Sequence, residues 1–175
     1  GGKGAAVISG LYVADNMNFT HAIQIDADGQ HDLAAVTDFL DQAHHNPQAL
    51  VCGYPIYDQT VPLSRLWGRE LTNFWVHVNT RSKALRDAMC GFRVYPLAQT
   101  LPVLPSVKTR RMDFDPDIVV RLIWAGVTVI NRPVRVTYPK DGISHFRGFS
   151  DNMRISRLHA GHFCTMLLRR MGLAK

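Results

Sequence analysis

The sequence is short of cysteine, of acidic residues and of long apolar runs, and each shortage excludes something. Its three cysteines, Cys52, Cys90 and Cys164, are odd in number and widely spaced, with no CxxC pair. That argues against a disulfide framework and against a zinc ribbon, and makes a reducing, cytoplasmic setting the simplest expectation. The charge-free stretch Val94–Val107 is interrupted by Pro96, Pro102 and Pro105, so it does not read as a membrane-spanning helix. Fourteen Asp and Glu face twenty Lys and Arg, a net charge of +6, which suits phosphate-bearing partners. The basic residues form no single run interleaved with aromatics, so nucleic acid is not an expected partner. Internal repeats and low-complexity segments are missing as well.

What remains is the composition of one globular domain: 175 residues, 46% hydrophobic and 19% charged. Ala5–Ala14 has helical apolar spacing after a glycine-rich start. His21–Ile25 reads as a buried strand, Leu33–Ala43 as a helix with Asp32 as its N-cap, and Ala49–Tyr54 as a second strand. Strand, helix, strand implies a parallel unit in an α/β sandwich. Trp67, Leu71, Phe74, Trp75 and Val78 then form a wide apolar stripe on one helix, with Arg65, Arg69 and Asn73 on another face. Cys90–Tyr95 reads as a short strand and Pro96–Pro105 as a proline-broken loop. Asp115-Pro116 looks like an N-cap and first helical position, with Gly126 ending that helix. Val127–Tyr138 alternates like an edge strand interrupted by Pro133. Pro139–Phe149 reads as a loop and Ser150–Met171 as a helix whose second half, Phe163–Leu168, is apolar nearly all round.

The sharpest constellation is Asp26-Ala27-Asp28-Gly29-Gln30-His31-Asp32, at the C-terminal end of a strand, where open α/β sheets bind ligands. Two carboxylates one residue apart on an irregular loop can aim at one hard divalent cation, Mg2+ or Mn2+, with Gln30 as a neutral oxygen ligand. Such a cation would bridge a diphosphate and neutralise charge on a departing nucleotide. A calcium loop is excluded, because the glycine is misplaced and Thr37 stands where glutamate is needed. A polar turn with Asp32 capping a helix is the other reading of the same residues.

Ile25 to Asp32 resembles the signature of family 2 glycosyltransferases, close to polyprenyl-phosphate sugar transferases of the dolichyl-phosphate mannose synthase type. Gly2-Lys3-Gly4-Ala5-Ala6 resembles the loop and helix before the DxD in that family. Cys90-Gly91-Phe92-Arg93 resembles its Ser-Gly-Phe-Arg segment, and Phe114-Asp115-Pro116-Asp117 with Arg121-Leu122 its FDxE helix start. Tyr138 to Arg147 is similar to the branch found beside acyltransferases in bacterial lipid and aryl-polyene gene clusters. The resemblance implies a GT-A-like nucleotide-binding sandwich with a mostly parallel sheet and a helical C-terminal tail. Family members also carry an N-terminal half with an Asp-Asp-Gly-Ser segment that holds the nucleotide. No such segment occurs here, and the chain opens Gly1-Gly2-Lys3-Gly4 without methionine, so a preceding portion is expected to be missing. Residues 1–138 are then the C-terminal portion of the catalytic domain, and 139–175 a flexible loop and helix that meets a membrane only at its surface.

The roles this implies can be taken residue by residue. Asp28 leads as metal ligand, with Asp26 on metal or donor and Gln30 in support. Lys3 and Arg147 are expected on the donor diphosphate of a UDP- or GDP-linked sugar. Arg65 and Arg69 suit an anionic acceptor such as a lipid phosphate, since a guanidinium fork matches phosphate oxygens. The resemblance puts Arg93 beside the acceptor too. Asp115, Asp117 and Asp87 are candidate bases if the acceptor is a hydroxyl; a phosphate acceptor needs none. Met89-Cys90 replaces Thr-Ser, and His145 replaces lysine, in the mannose-synthase pattern, so a dolichol-type acceptor is not implied. Sugar-phosphate nucleotidyltransfer, or a degenerate binding module, remains the competing reading.

Overall fold

The computed structural model describes residues 2–57, 61, 63–137 and 148–173, with backbone alone for 63–65 and 148–149. Helix α1 (Lys3–Asn16) leads into strand β1 (His21–Gln24), a 3-10 turn at Leu33–Ala35 and helix α2 (Val36–His45). Strand β2 (Leu50–Tyr57), helix α3 (Leu63–Thr80) and strand β3 (Arg93–Pro96) follow. The short helix α4 (Leu97–Thr100), a 3-10 turn at Leu104–Ser106, helix α5 (Phe114–Trp124), strand β4 (Val129–Val136) and helix α6 (Gly148–Arg170) complete the order. The segment after β3 is thus more regular than the proline-broken loop expected there.

The sheet order is β1-β3-β2-β4. β3 is antiparallel to both β1 and β2, whereas β4 is parallel to β2. Strands β1, β2 and β4 therefore point the same way, with β3 reversed among them, so the described sheet is mixed. The expectation needs one correction: β1 and β2 are not neighbours, because β3 is inserted between them in reverse. β4 lies at an edge of the described sheet and accommodates Pro133, opposite Tyr54, as an edge strand can.

Side chains alternate across the sheet. Leu50, Cys52 and Tyr95 point into a core with Leu11, Val76, Phe114 and Ile118, under α1, α3 and α5. Val51, Phe92 and Val94 point the other way, onto Phe39 and Ala43 of α2. This two-faced burial holds the sheet between its helices, with β1 and β4 at opposite edges and their C-terminal ends on the same side.

Helix α3 departs from the usual amphipathic rule. Its apolar stripe faces outward, with Trp67 77%, Leu71 60% and Phe74 57% exposed. The buried side is Thr72, Asn73, Val76 and Asn79. The reason is local: that side carries the polar groups that hold the segment before β3. Asn73 Oδ1 accepts the Ala88 amide at 2.9 Å, and Arg69 donates to both oxygens of Asp87 at 3.2 and 3.1 Å.

Helix α6 packs on α3 and α5 through Ile155, His159 and His162. His162 Nε2 lies 2.9 Å from Asp117 Oδ1, and Asn79 Nδ2 lies 3.4 Å from His159 Nδ1. No helix among the described residues is long and apolar enough to cross a membrane.

Candidate active site

The site forms where β1 ends. Asp26 follows that strand, and its carboxylate lies against Gly91: a Cβ at residue 91 would overlap all three atoms of the Asp26 carboxyl group. Only glycine permits this approach. The loop that carries Gly91 is held by Asp87, whose Oδ1 accepts the amides of Met89 and Cys90 at 2.8 and 2.7 Å.

Lys3, in the first turn of α1, reaches across to this point. Its Nζ is 2.8 Å from Asp26 Oδ2 and 2.6 Å from Asp115 Oδ2. One ammonium thus joins the end of β1 to the start of α5, and α1 is anchored there by the Ala5 amide on Arg110 O at 3.1 Å. Burial alone would lower the Lys3 pKa, but Asp115 and Asp26 outweigh it and hold the group above its usual value. Burial would likewise raise Asp115, yet Lys3 and Arg93 hold that carboxyl below the ordinary range.

Behind Asp115 lies a closed polar relay. Gln24 Nε2 donates to Asp115 Oδ1 at 3.1 Å, and Tyr95 Oη donates to Gln24 Oε1 at 2.9 Å. Arg93 donates to Ala88 O at 2.8 Å, Asp115 O at 3.0 Å and Tyr95 Oη at 3.3 Å. Its guanidinium is 0% exposed, so the acceptor-binding role expected of Arg93 is corrected: it braces Asp115 from inside. Asp115 is corrected in part as well. Helix α5 starts at Phe114, so Asp115 is not its N-cap, and its carboxylate is turned to Lys3, Gln24 and Arg93 instead.

Asp28 is exposed on the loop, with Oδ1 accepting the Gln30 amide at 3.1 Å. Gly29 makes the turn at φ 70°, a conformation that favours glycine. The loop is pinned to the end of β4: Thr137 N donates to Gln30 O at 3.0 Å, and Asp32 N to Arg135 O at 3.1 Å. Asp32 also caps the following turn, accepting the Ala34 amide at 2.9 Å. His31 packs edge-on to Phe92, with ring centroids 5.6 Å apart. Its pKa is lowered, chiefly by burial, against the opposing charges of Asp26 and Asp28. Its Nδ1 is buried without a hydrogen-bond partner among the described residues.

The expected residues thus divide. Lys3, Asp26 and Asp115 meet directly. Asp87 and Arg69 pair with each other and support the Gly91 loop from α3. Asp117 does not join: it is 0% exposed and engages Thr109 at 2.9 Å, Arg121 at 2.6 Å and His162 at 2.9 Å. The catalytic role expected of it is corrected to an anchor for α6. The Arg65 side chain, Arg147 and the loop 139–147 lie outside the described residues. Sequence reasoning missed Gln24, Tyr95 and the site position of His31. Alternation along β1 and β3 placed Gln24 and Tyr95 inside, and a polar residue inside a strand needs a partner.

The donor set can be tested against a divalent metal. Among the described residues, no three His, Cys, Asp or Glu side chains converge closely enough to hold one. Asp26 and Asp28 are hard oxygen donors on one loop, and a site of one or two carboxylates completed by substrate phosphates is the usual arrangement for Mg2+. The residues present fit that arrangement.

No family model matches the chain. It is similar to a dolichyl-phosphate beta-glucosyltransferase of Dictyostelium discoideum, with 25% identity over 125 residues, covering 67% of this chain and 37% of the relative. The chain therefore spans little more than a third of that protein's length. With the mixed α/β sandwich, the similarity supports a GT-A-like fold and a glycosyltransferase relationship.

Proposed function

We propose that this chain carries the metal-side half of a glycosyltransferase that moves a sugar from a UDP- or GDP-linked donor to a lipid phosphate. The observation that carries the reading is the meeting of Lys3, Asp26 and Asp115 at the C-terminal end of β1, beside the exposed Asp28. Lys3, the part-buried Asp26 and the exposed Asp28 stand past the C-terminal end of a strand, where open α/β sheets bind ligands. The similarity to a dolichyl-phosphate glucosyltransferase supports the same chemistry.

Lys3 neutralises charge on the diphosphate and orients Asp26. Asp28, with Asp26 and Gln30, would hold Mg2+ or Mn2+; when bound, the ion neutralises negative charge building on the departing nucleotide. Arg69, preset by Asp87, presents a guanidinium toward an acceptor phosphate. In the transfer, the bond from the sugar's anomeric carbon to the donor phosphate oxygen breaks, and the nucleoside diphosphate leaves with the electron pair. The acceptor phosphate oxygen forms the new bond to the same carbon, and no proton is moved.

The acidity of Asp115 bears on the acceptor. A carboxylate ion-paired to Lys3 and held below its ordinary range is a weak base, which favours an acceptor oxygen that is already ionised. The test is transfer of labelled sugar by the complete protein to a polyprenyl phosphate and to the matching polyprenyl alcohol. Transfer to the phosphate alone, with Asp115→Asn retaining more than a tenth of the rate, supports the reading. Efficient transfer to the alcohol, abolished by Asp115→Asn, contradicts it.

A further inference from the structure

Lys3 joins two carboxylates that differ in their access to water. Its Nζ lies 2.8 Å from Asp26 Oδ2 and 2.6 Å from Asp115 Oδ2, and the Asp26 side chain is 23% exposed where that of Asp115 is 2% exposed. Asp115 is also held from behind, by Gln24 at 3.1 Å and Arg93 at 3.5 Å. For Asp26, Lys3 is the one hydrogen-bond donor among the described residues. The two halves of this bridge are therefore unequal. The inner carboxylate has other partners, whereas the outer one depends on Lys3 and borders solvent.

The backbone under Lys3 is fixed. Gly2 lies against Arg110 O and Arg111, and Gly4 against Phe114, both too closely for a Cβ. The Ala5 amide on Arg110 O holds the same turn. What stays free to shift is the side chain, a flexible stem ending in an ammonium with three donors, of which Asp26 and Asp115 take two.

The charge around this point favours a further cation. The His31 imidazole is within electrostatic reach of Asp26, Asp28, Lys3 and Arg69, so the two carboxylates of the loop and the ammonium share one neighbourhood. Arg69 is engaged with Asp87. That leaves Asp26, Asp28 and Asp115 against Lys3 and Arg93, and the carboxylates outnumber the cations. Mg2+ or Mn2+ is drawn to the Asp26 oxygens by the same attraction that holds the ammonium, so the two compete there. A divalent ion seated on Asp26 with Lys3 still in place would lie against an uncompensated positive charge.

We infer that Lys3 is a stand-in for the divalent cation at Asp26: its ammonium neutralises that carboxylate in the metal-free chain, and on yielding it to a cation Lys3 keeps Asp115 and turns the freed N–H to the donor diphosphate. Metal and donor are thereby coupled through one side chain, each raising the other's affinity by the same factor. The inference deepens the transfer reading and rests on it for the identity of the donor, whereas the exchange at Asp26 needs the metal alone. A lysine serving only the diphosphate would leave donor-free metal binding unchanged when removed. A purely structural lysine would weaken it. A stand-in gives the opposite sign.

The experiment is titration of the 175-residue chain with Mn2+ alone, reading free Mn2+ by its electron paramagnetic resonance, for the native sequence and for Lys3→Met. Lys3→Met is expected to bind Mn2+ about tenfold more tightly, because a positive charge beside the ion is gone. Adding Asp26→Asn is expected to abolish that gain. Removing Lys3 also costs stability, so the native chain supplies a second readout. Reductive methylation followed by mass spectrometry is expected to modify Lys3 more slowly than the exposed Lys83, and Mg2+ to speed Lys3 several-fold while leaving Lys83 unchanged. Unchanged or weaker Mn2+ binding by folded Lys3→Met, a gain that survives Asp26→Asn, or Lys3 methylation indifferent to Mg2+ overturns the inference. No nucleotide-sugar is present in either arm, so such a failure leaves the transfer reading standing. Failure of sugar transfer by the complete protein is read in its own assay and leaves the exchange at Asp26 standing.

Discussion

Replacing Lys3 by methionine removes the ammonium that Asp26 and Asp115 share at 2.8 and 2.6 Å. Among the described residues Asp115 then keeps only Arg93, at 3.5 Å, as its cation. Stripping one partner from a buried ion pair costs roughly 3 kcal/mol, and urea unfolding of Lys3→Met is expected to show a loss of that order. The sequence motif points Lys3 at a donor diphosphate, and nothing in its spacing announces two carboxylates 23 and 112 positions on. The same distance hid Arg93. Its motif marked it as functional, but burial against Ala88, Tyr95 and Asp115 turns it inward. The cysteines offer a simpler check at this scale. Burial pushes Cys52 and Cys90 up to about 12, while Cys164 is exposed. A thiol reagent at pH 8 is therefore expected to modify Cys164 alone in the native chain, and all three cysteines in denaturant. Rapid native modification of all three would contradict the packing described.

At the scale of elements, α6 is held by a small set of buried polar groups. His159, stacked on Trp75, is held neutral by burial, with the neighbouring His162 adding to the effect, and titrates at about 4 against 6.5 for an unperturbed imidazole. The folded state thus binds that proton more weakly than the unfolded chain. Its contribution is whole above pH 6.5 and drains as the pH falls toward 4. Thermal or urea unfolding at pH 7 and pH 5 is expected to differ by on the order of 1–2 kcal/mol from this source, and His159→Gln is expected to reduce the difference. A pH-independent stability between 5 and 7 would contradict the packing of α6. Asp117 belongs to the same attachment. Asp117→Asn weakens its bonds to Arg121 and His162, and faster amide exchange in α6, with α2 unaffected, is the expected readout. Helix periodicity revealed α3 but could not tell which side of it would be buried. The period gives the stripe, whereas the 87–91 loop and its need for Asn73 and Arg69 decide the orientation.

For the molecule as a whole, the legible part was the local one. The strand leading into Asp26, the cap at Asp32, the edge strand with Pro133 and the glycine at 91 are each written in a few adjacent residues. The insertion of β3 between β1 and β2 is not, because pairing of His21 with Pro96 and Val51 with Val94 spans tens of residues. The candidate site follows the same division. Its DxD loop was readable in the sequence, while the Lys3–Asp115 closure and the Gln24–Tyr95–Arg93 relay exist only once the sheet has assembled. Assembly gathers Lys3, Asp26 and the buried Asp115 beside the exposed Asp28 at one end of the sheet, and the central claim is that this end binds a nucleotide-sugar diphosphate with a divalent ion. The most direct measurement is calorimetric titration of the complete protein with UDP- and GDP-sugars, with and without Mn2+ or Mg2+, repeated with Asp28→Ala. Metal-dependent binding of one donor class, lost or at least tenfold weaker in Asp28→Ala, is the result the account predicts. No binding of any nucleotide-sugar with either metal, or binding indifferent to Asp28, would contradict it.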